Sequence, residues 1–128
     1  MTIPADLKYT ATHQWVRLEG DGTATVGITD HAQEQLGDVV FVEHPDVGRR
    51  VKRGENCAVV ESVKAASDIP APLSGEIIEV NAAAAAVPEK LNQEPYAAWL
   101  FRVRIGYPSE IGALLDAAAY RKAVMSDG

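Results

Sequence analysis

Two stretches of alternating apolar residues enclose a single lysine, and this arrangement restricts the fold more than any other feature of the chain. Residues 57–63 lead up to Lys64, and a Pro/Ser/Gly turn after it leads into residues 75–80. Glycines stand ten residues before the lysine, at Gly54, and eleven residues after it, at Gly75. Strand patterns separated by turn residues predict a β-hairpin that holds the amine of Lys64 out into solvent.

Length, charge and cysteine content limit the class of protein. The 128 residues fit one domain, spanning 1–128, with a real hydrophobic core. The formal charge of −6 argues against nucleic acid or an anionic membrane as a partner. Cys57 is the only cysteine, so no intramolecular disulfide forms and a reducing compartment is expected. No apolar run reaches ~18 residues and no signal or transit pattern is seen, so we expect a cytoplasmic protein. We also expect a monomer.

The rest of the pattern predicts a mainly β chain with short helices. Residues 13–18 and 23–28 flank a glycine-containing loop and predict another hairpin. Residues 39–42 are all apolar and predict a buried strand, and residues 100–105 predict the last strand. The core of the domain is therefore expected at about residues 13–105.

Capping residues mark the predicted helices. Asp30 is placed to cap a short helix that Gly37 would end. Ser109 and Asp116 are each placed to cap a helix in a C-terminal helical segment, expected at about residues 109–125.

A lysine amine can form a Schiff base, bind phosphate, act as a surface charge or be acylated. A Schiff-base lysine needs apolar cover to lower its pKa, and residues 65–68 are small or polar and give none. These neighbours leave the amine of Lys64 open to a modifying enzyme, which favours acylation. No zinc spacing is found among the candidate ligands His13, His31, His44 and Cys57.

These residues resemble the glycine cleavage system H proteins over nearly the whole chain. Residues 60–75 are similar to the lipoyl-attachment segment of that family. Other similar blocks follow in the family's order, namely Tyr9 with residues 13–16, residues 26–33, residues 36–43, Pro88, Asn92, residues 95–96 and 99–100, and residues 114–120. The resemblance implies a hybrid barrel-sandwich like that of lipoyl and biotinyl carrier domains, with extra helices at the termini.

The resemblance also implies a function. Lys64 would carry lipoate in amide linkage, and the protein would be a shuttle and not a catalyst. The arm would take an aminomethyl group from the pyridoxal-phosphate-dependent P protein and pass the one-carbon unit to tetrahydrofolate on the T protein. The flavin-dependent L protein would reoxidise the arm, and lipoyl-transferring enzymes would attach it. The extended arm reaches roughly 14 Å by standard bond geometry.

Five further residues receive roles from the same resemblance. Glu61, three positions before the lysine, would help the lipoylating enzymes to recognise the hairpin, and Gly75 would fix the base of the hairpin. Thr12, Gln14 and Asp68 would line a surface cleft that shelters the loaded arm from hydrolysis.

The chain departs from the family pattern at three places. The family usually has His-Glu-Trp where this chain has residues 13–15, with Gln14 in the middle. A glutamate can pair with an ammonium, whereas Gln14 offers a neutral hydrogen bond that is roughly half as strong. Residues 69–70 replace an apolar-aromatic pair, and residues 97–98 stand where a glycine commonly precedes the tryptophan.

Alternatives remain at this level. An H-like protein that serves lipoate relay, or an interaction module with an unmodified Lys64, would have the same pattern. A lipoyl domain of a 2-oxoacid dehydrogenase is shorter and lacks the His-x-Trp block. A biotinyl carrier would have methionines where this chain has Val63 and Ala65.

Overall fold

The computed structural model describes residues 1–127 and confirms a mainly β chain with short helices. Its strands are β1 (Lys8–Tyr9), β2 (Gln14–Leu18), β3 (Thr23–Ile28), β4 (Val39–Glu43), β5 (Arg50–Val51), β6 (Asn56–Ser62), β7 (Ala66–Pro70), β8 (Gly75–Val80) and β9 (Phe101–Ile105). Its helices are α1 (Asp30–Leu36), α2 (Ala82–Ala86), α3 (Lys90–Gln93), a 3₁₀ helix (Pro108–Ala113) and α4 (Ala117–Asp127).

The strands form two antiparallel sheets. One has six strands in the order β1-β2-β3-β9-β8-β5, and the other has three in the order β4-β6-β7. The predicted hairpin of residues 13–18 and 23–28 is confirmed as β2 and β3. Gly20 and Gly22 in its loop have φ of 85° and 87°, a conformation that costs glycine little.

The lysine-bearing hairpin consists of β6 and β7 in the three-stranded sheet. Its base is closed by hydrogen bonds from the amide of Gly54 to the carbonyl of Ala71 and from the amide of Ala71 to the carbonyl of Glu55, both 2.8 Å. The predicted pairing of the stretch before Lys64 with residues 75–80 is not found, because the chain turns back directly after the lysine and β7 pairs with β6 instead. Gly75 lies outside the base of the hairpin, at the start of β8, where it pairs with Val51 and Ile105 in the larger sheet.

The main core joins the two sheets. Val26 and Phe101 from the larger sheet pack in one cluster with Val42, Val60 and Ile69 from the smaller sheet. Full burial of such a side chain stabilises the fold by about 1.5–3 kcal/mol, so this cluster fixes the hairpin against the larger sheet.

A second core lies under the chain termini. Tyr9 and Trp15 pack with Tyr120 and Val124 of α4, and all four are buried. The rings of Tyr9 and Tyr120 stack with centroids 4.7 Å apart. This cluster holds the C-terminal helix against β1 and β2.

Two of the predicted helix caps are wrong. Thr29, and not Asp30, caps α1, because the Thr29 hydroxyl accepts a hydrogen bond from the amide of Ala32 at 3.2 Å. Asp30 already lies inside the helix, where its carboxylate accepts from the Gln33 side chain. Ser109 caps nothing, because it lies within the 3₁₀ helix, which has no side-chain cap.

The other caps are confirmed. Gly37 ends α1 with φ of 77°, and the Asp116 carboxylate accepts from the amide of Ala119 at 2.8 Å in the first turn of α4.

The prediction of a fully buried strand at residues 39–42 is also wrong. Val39 and Val42 are buried, but Val40 and Phe41 are exposed, because a β-bulge interrupts the pairing of β4 with β6. Within residues 1–127, no helix has the length and hydrophobicity needed to cross a lipid bilayer.

Candidate functional site

A short turn at the end of β6 presents Lys64. The amide of Ser62 donates to the carbonyl of Ala65 at 2.8 Å. The Ser62 hydroxyl accepts from the amides of Lys64 and Ala65 at 3.3 and 3.2 Å, and it lies 3.2 Å from the Ala65 carbonyl oxygen. Because Ser62 is buried, its side chain fixes the backbone of the turn from the core side of the hairpin.

The loop after α1 supports this turn from the side. The amide of Val63 donates to the carbonyl of Asp38 at 3.1 Å. The Lys64 side chain passes over Gly37, where an added Cβ would lie 3.1 Å from Lys64 Cε. Asn92 holds the loop by donating to the Gly37 carbonyl at 2.8 Å.

The contacts of Ser62 and Asn92, and the approach of the Lys64 side chain to Gly37, were not predicted from the sequence. The position of Ser62, two residues before the crest of a hairpin, is typical of a side chain that bonds to a turn backbone. That signal was available from the sequence. The Asn92 contacts join positions 55 residues apart and had no local signal.

Lys64 is exposed, and among residues 1–126, whose side chains are described, its amine forms no ion pair. An exposed primary amine on a fixed turn can be reached by an acylating enzyme, and it can carry a chain that swings without deforming the domain.

A cleft of about 260 Å³ starts beside the turn. Its walls are the start of β2 with the two residues before it, the helix α1 and residues 65–69 of the lysine hairpin. The structure brings Thr12, Gln14 and Asp68 together on these walls, as the resemblance implied. Apolar walls come from residues such as Leu36 and Ile69.

Gln14 is deeply buried in this wall, with 2 % of its surface exposed. Its carbonyl oxygen accepts from the hydroxyls of Thr12 and Thr10 at 2.6 and 2.8 Å. Its amide nitrogen donates to the Thr12 carbonyl at 2.7 Å. Because both acceptor directions of the carbonyl oxygen are taken, Gln14 has an N–H donor left for a ligand and no free acceptor.

A hydrogen-bonded chain behind the cleft was also missed. His13 has φ of 72°, and its Nδ1 lies 2.8 Å from the hydroxyl of Tyr120 in α4. That hydroxyl lies 2.7 Å from Thr29 Oγ1, the cap of α1. Burial raises the pKa of Tyr120 to about 12, so its hydroxyl remains protonated near neutral pH.

The two predicted recognition residues lie in different places. Glu61 is on the outer face of the hairpin, paired in register with Phe41 and Ala66, close to the lysine turn. Gly75 lies in the larger sheet, where an added Cβ would collide with the carbonyl oxygen of Arg104. Glycine is required at position 75 by this close backbone approach and not by a positive φ.

Residues 1–127 offer little support for a metal site or for a reactive thiol. Within residues 1–127, no group of three or more His, Cys, Asp or Glu side chains is arranged to hold a metal ion. Burial raises the pKa of the Cys57 thiol to about 11, so it is protonated at neutral pH.

Comparison with known proteins identifies what the chain is similar to. A family model described as glycine cleavage H-protein matches residues 7–127. The glycine cleavage system H protein of Thiobacillus denitrificans is 59% identical over 127 residues, which cover 99% of this chain and 98% of that protein. The protein of the same name from Methylococcus capsulatus is 62% identical over 119 residues, covering 93% and 94%.

A solved structure agrees with these matches. The crystal structure of a glycine cleavage system H protein from Mycobacterium marinum superposes with a TM-score of 0.83 at 45% identity, covering 94% of this chain and 97% of that one. This neighbour confirms the hybrid barrel-sandwich with a C-terminal helix.

Proposed function

The chain belongs to the glycine cleavage H-protein family, and from that membership we propose that Lys64 carries its lipoyl group in amide linkage. The protein is a lipoyl carrier of the glycine cleavage system, and a carrier and not a catalyst. We assign the attachment to Lys64 because this lysine is exposed and lies on a turn that Ser62 fixes.

The cleft beside the turn suits a bound lipoyl arm. Strand residues advance by about 3.3 Å, so Asp68 lies ~7 Å along β7 from Ala66, the first strand residue after the turn. The roughly 14 Å reach of the arm exceeds that distance, so an arm on Lys64 can extend along the cleft as far as Asp68. Apolar walls at Leu36 and Ile69 would cover the hydrocarbon chain, while Thr12 and Gln14 supply polar atoms to the same cleft.

Lipoate, when bound, supplies a disulfide at the end of a flexible chain, which takes up the aminomethyl group and is later reoxidised. The residues of this chain have simpler tasks. Ser62 and the loop at Gly37 would orient the attachment point, and the walls of the cleft would exclude water from the resting arm.

The proposal includes the partners of such a cycle. They are the P protein that decarboxylates glycine, the T protein that uses tetrahydrofolate, the L protein that is a dihydrolipoamide dehydrogenase, and the lipoyl-transferring enzymes. We place the carrier, as a monomer, in the cytoplasm. This placement rests on the bacterial origin of relatives such as that of Thiobacillus denitrificans and on the single buried cysteine.

Intact-mass analysis of protein from cells fed lipoate tests the proposal. We expect a gain of one lipoyl group, mapped to Lys64 by peptide sequencing. The Lys64→Arg variant should lose lipoylation and all glycine cleavage activity with unchanged thermal stability, because Lys64 forms no ion pair within residues 1–126. Matched Lys52→Arg and Lys90→Arg variants should behave as wild type. Lipoate on Lys52 or Lys90 would contradict the assignment.

A reconstituted assay separates glycine cleavage from lipoate relay. The lipoylated protein should support glycine decarboxylation when mixed with the P, T and L proteins. A lipoylated protein that fails in this mixture would favour the relay function.

A further inference from the structure

The β-bulge in β4 turns two large apolar side chains outward beside the lysine. Val39 pairs with Ser62 and Phe41 pairs with Glu61, which leaves Val40 as the extra residue. Val40 is 54 % exposed and Phe41 is 49 % exposed, although they are consecutive in the strand. In a regular strand, consecutive side chains point to opposite faces, so one of the two would be buried. The bulge therefore turns an additional apolar side chain toward solvent.

Val63 extends this apolar surface to the lysine itself. It precedes Lys64 in the turn and is 72 % exposed. Its amide bonds to the carbonyl of Asp38, one residue before β4, so the turn and the start of β4 are in contact. Val40, Phe41 and Val63 are called the β4 patch below. Adjacent exposed apolar side chains of this size mark interaction surfaces more often than isolated ones do.

Carboxylates surround the β4 patch. Asp38 and Glu43 flank it along the chain, and Glu61 lies opposite Phe41 in the register. None of the three takes part in the ion pairs formed by residues 1–126. A partner that covers the patch would therefore gain from lysine or arginine side chains around an apolar recess.

We propose that the β4 patch is the docking surface for the enzyme that attaches the lipoyl group, through an apolar recess bordered by basic side chains. This inference rests on the proposed function, since it assumes that Lys64 is lipoylated. The position of the patch selects this partner. An attaching enzyme must bring its reaction centre to the amine of Lys64 and so contacts the turn. The enzymes of the cycle act on the end of an arm that reaches roughly 14 Å from the turn.

Lipoylation kinetics of Phe41→Ser test the proposal. The assay uses the whole unmodified protein with a lipoate–protein ligase, lipoate and ATP, in which the amide forms at Lys64 as ATP is converted to AMP and pyrophosphate. We expect KM for the carrier to rise at least about tenfold, with kcat within about twofold, because docking and not chemistry is impaired. Phe41→Leu, which keeps an apolar side chain, should stay within about threefold of wild type.

Val47→Ser is the matched control. Val47 is 60 % exposed but lies in the loop after β4, away from the turn, so KM should not change. Glu43→Gln should raise KM by about three- to tenfold at low salt and by less at high salt, where charges are screened. Thermal unfolding of each variant establishes that it is folded.

An unchanged KM for folded Phe41→Ser would overturn the proposal. If the fully lipoylated variant then showed a large loss of glycine decarboxylation, the β4 patch would be assigned to an enzyme of the cycle. Absence of lipoate on wild-type protein would instead refute the proposed function.

Discussion

Gln14 offers the cleft a donor where a glutamate would offer an acceptor. At about pH 8, a glutamate at this position would be ionised and could pair with an ammonium on the loaded arm. Gln14→Glu should therefore slow the spontaneous release of formaldehyde and ammonia from the loaded protein. A gain of ~1–2 kcal/mol corresponds to roughly a five- to thirty-fold slower decay. Because position 14 is buried, high salt should change this effect little.

Gln14→Glu should also lower the stability of the fold at neutral pH, as the hydrogen bonds of Gln14 predict. A carboxylate oxygen in the place of the Gln14 amide nitrogen would lie 2.7 Å from the Thr12 carbonyl oxygen. Folding should then raise the pKa of the new carboxyl above its unfolded value of ~4.3. Stability relative to wild type should be highest below that value and should fall as the pH rises. Urea unfolding at low and neutral pH checks this sign. Equal decay rates would mean that position 14 does not contact the arm, and equal stability at both pH values would mean that the new carboxyl is not held against the Thr12 carbonyl.

Gly75 is predicted to act through packing. Gly75→Ala would push a Cβ into the carbonyl of Arg104 and to 2.9 Å from Val103 Cγ2, which should cost about 2–4 kcal/mol of unfolding free energy. Gly106→Ala is the control, because its nearest neighbour, the Ser74 carbonyl oxygen, would lie at an ordinary 3.4 Å. Urea unfolding and the lipoylation rate of the folded fraction are measured together. A stable Gly75→Ala protein that is not lipoylated would show that Gly75 is read by the attaching enzyme.

At the scale of elements, the lysine turn depends on Ser62. Ser62→Ala removes the acceptor for the amides of Lys64 and Ala65 and should cost about 1 kcal/mol locally. A looser turn presents the amine in more conformations, so the lipoylation rate should fall several-fold. Hydrogen exchange at the amides of residues 64 and 65 should accelerate, which a distant structural effect would not produce. Ser109→Ala, at an exposed position, should change neither measurement. Unchanged exchange would rule out this role for Ser62.

Elements whose signals are local were predictable from the sequence. The glycines of the β2–β3 loop, Gly37 at the end of α1 and Asp116 at the start of α4 each act on their own backbone. The choice of Thr29 over Asp30 as the cap of α1 was not predictable in this way. Thr29 is also held from outside by Tyr120, 91 residues away.

The surface of the site was harder to predict than its lysine. An apolar run at residues 39–42 indicates a buried strand, and only the pairing with β6 reveals the bulge that exposes Val40 and Phe41. The cleft residues Thr12, Gln14 and Asp68 were named from family resemblance. Their spacing in the sequence contains no sign that they share one cavity.

At the scale of the whole molecule, α4 is joined to the cleft through one hydroxyl. Tyr120 contacts His13 and Thr29 through its oxygen and stacks on Tyr9 through its ring. The C-terminal helix therefore supports the wall of the cleft as well as the second core. If the contact between Tyr120 and His13 is lost, the cleft should change as well, because His13 lines it.

Alkaline unfolding tests this arrangement. Burial raises the pKa of Tyr120 to about 12 and also raises the pKa values of Tyr9 and Tyr96. In the unfolded chain these groups lose protons near pH ~10. Above that pH the unfolded state binds fewer protons than the native state, so stability is full below it and falls as the pH rises. Each such tyrosine contributes a slope of about 1.4 kcal/mol per pH unit until its folded pKa is reached.

Tyr120→Phe should remove the contribution of one tyrosine to this fall in unfolding free energy with pH. Between about pH 10 and 12, urea unfolding of the variant should lose stability less steeply than wild type, by about 1.4 kcal/mol per pH unit. At about pH 8 the variant should already be less stable by ~1–2 kcal/mol, because His13 and Thr29 lose a shared partner. Tyr107→Phe is the control, since it removes the same hydroxyl from a tyrosine that is 64 % exposed and lies outside both cores. Equal alkaline slopes for wild type and Tyr120→Phe would mean that the Tyr120 hydroxyl ionises as readily in the folded protein as in the unfolded chain.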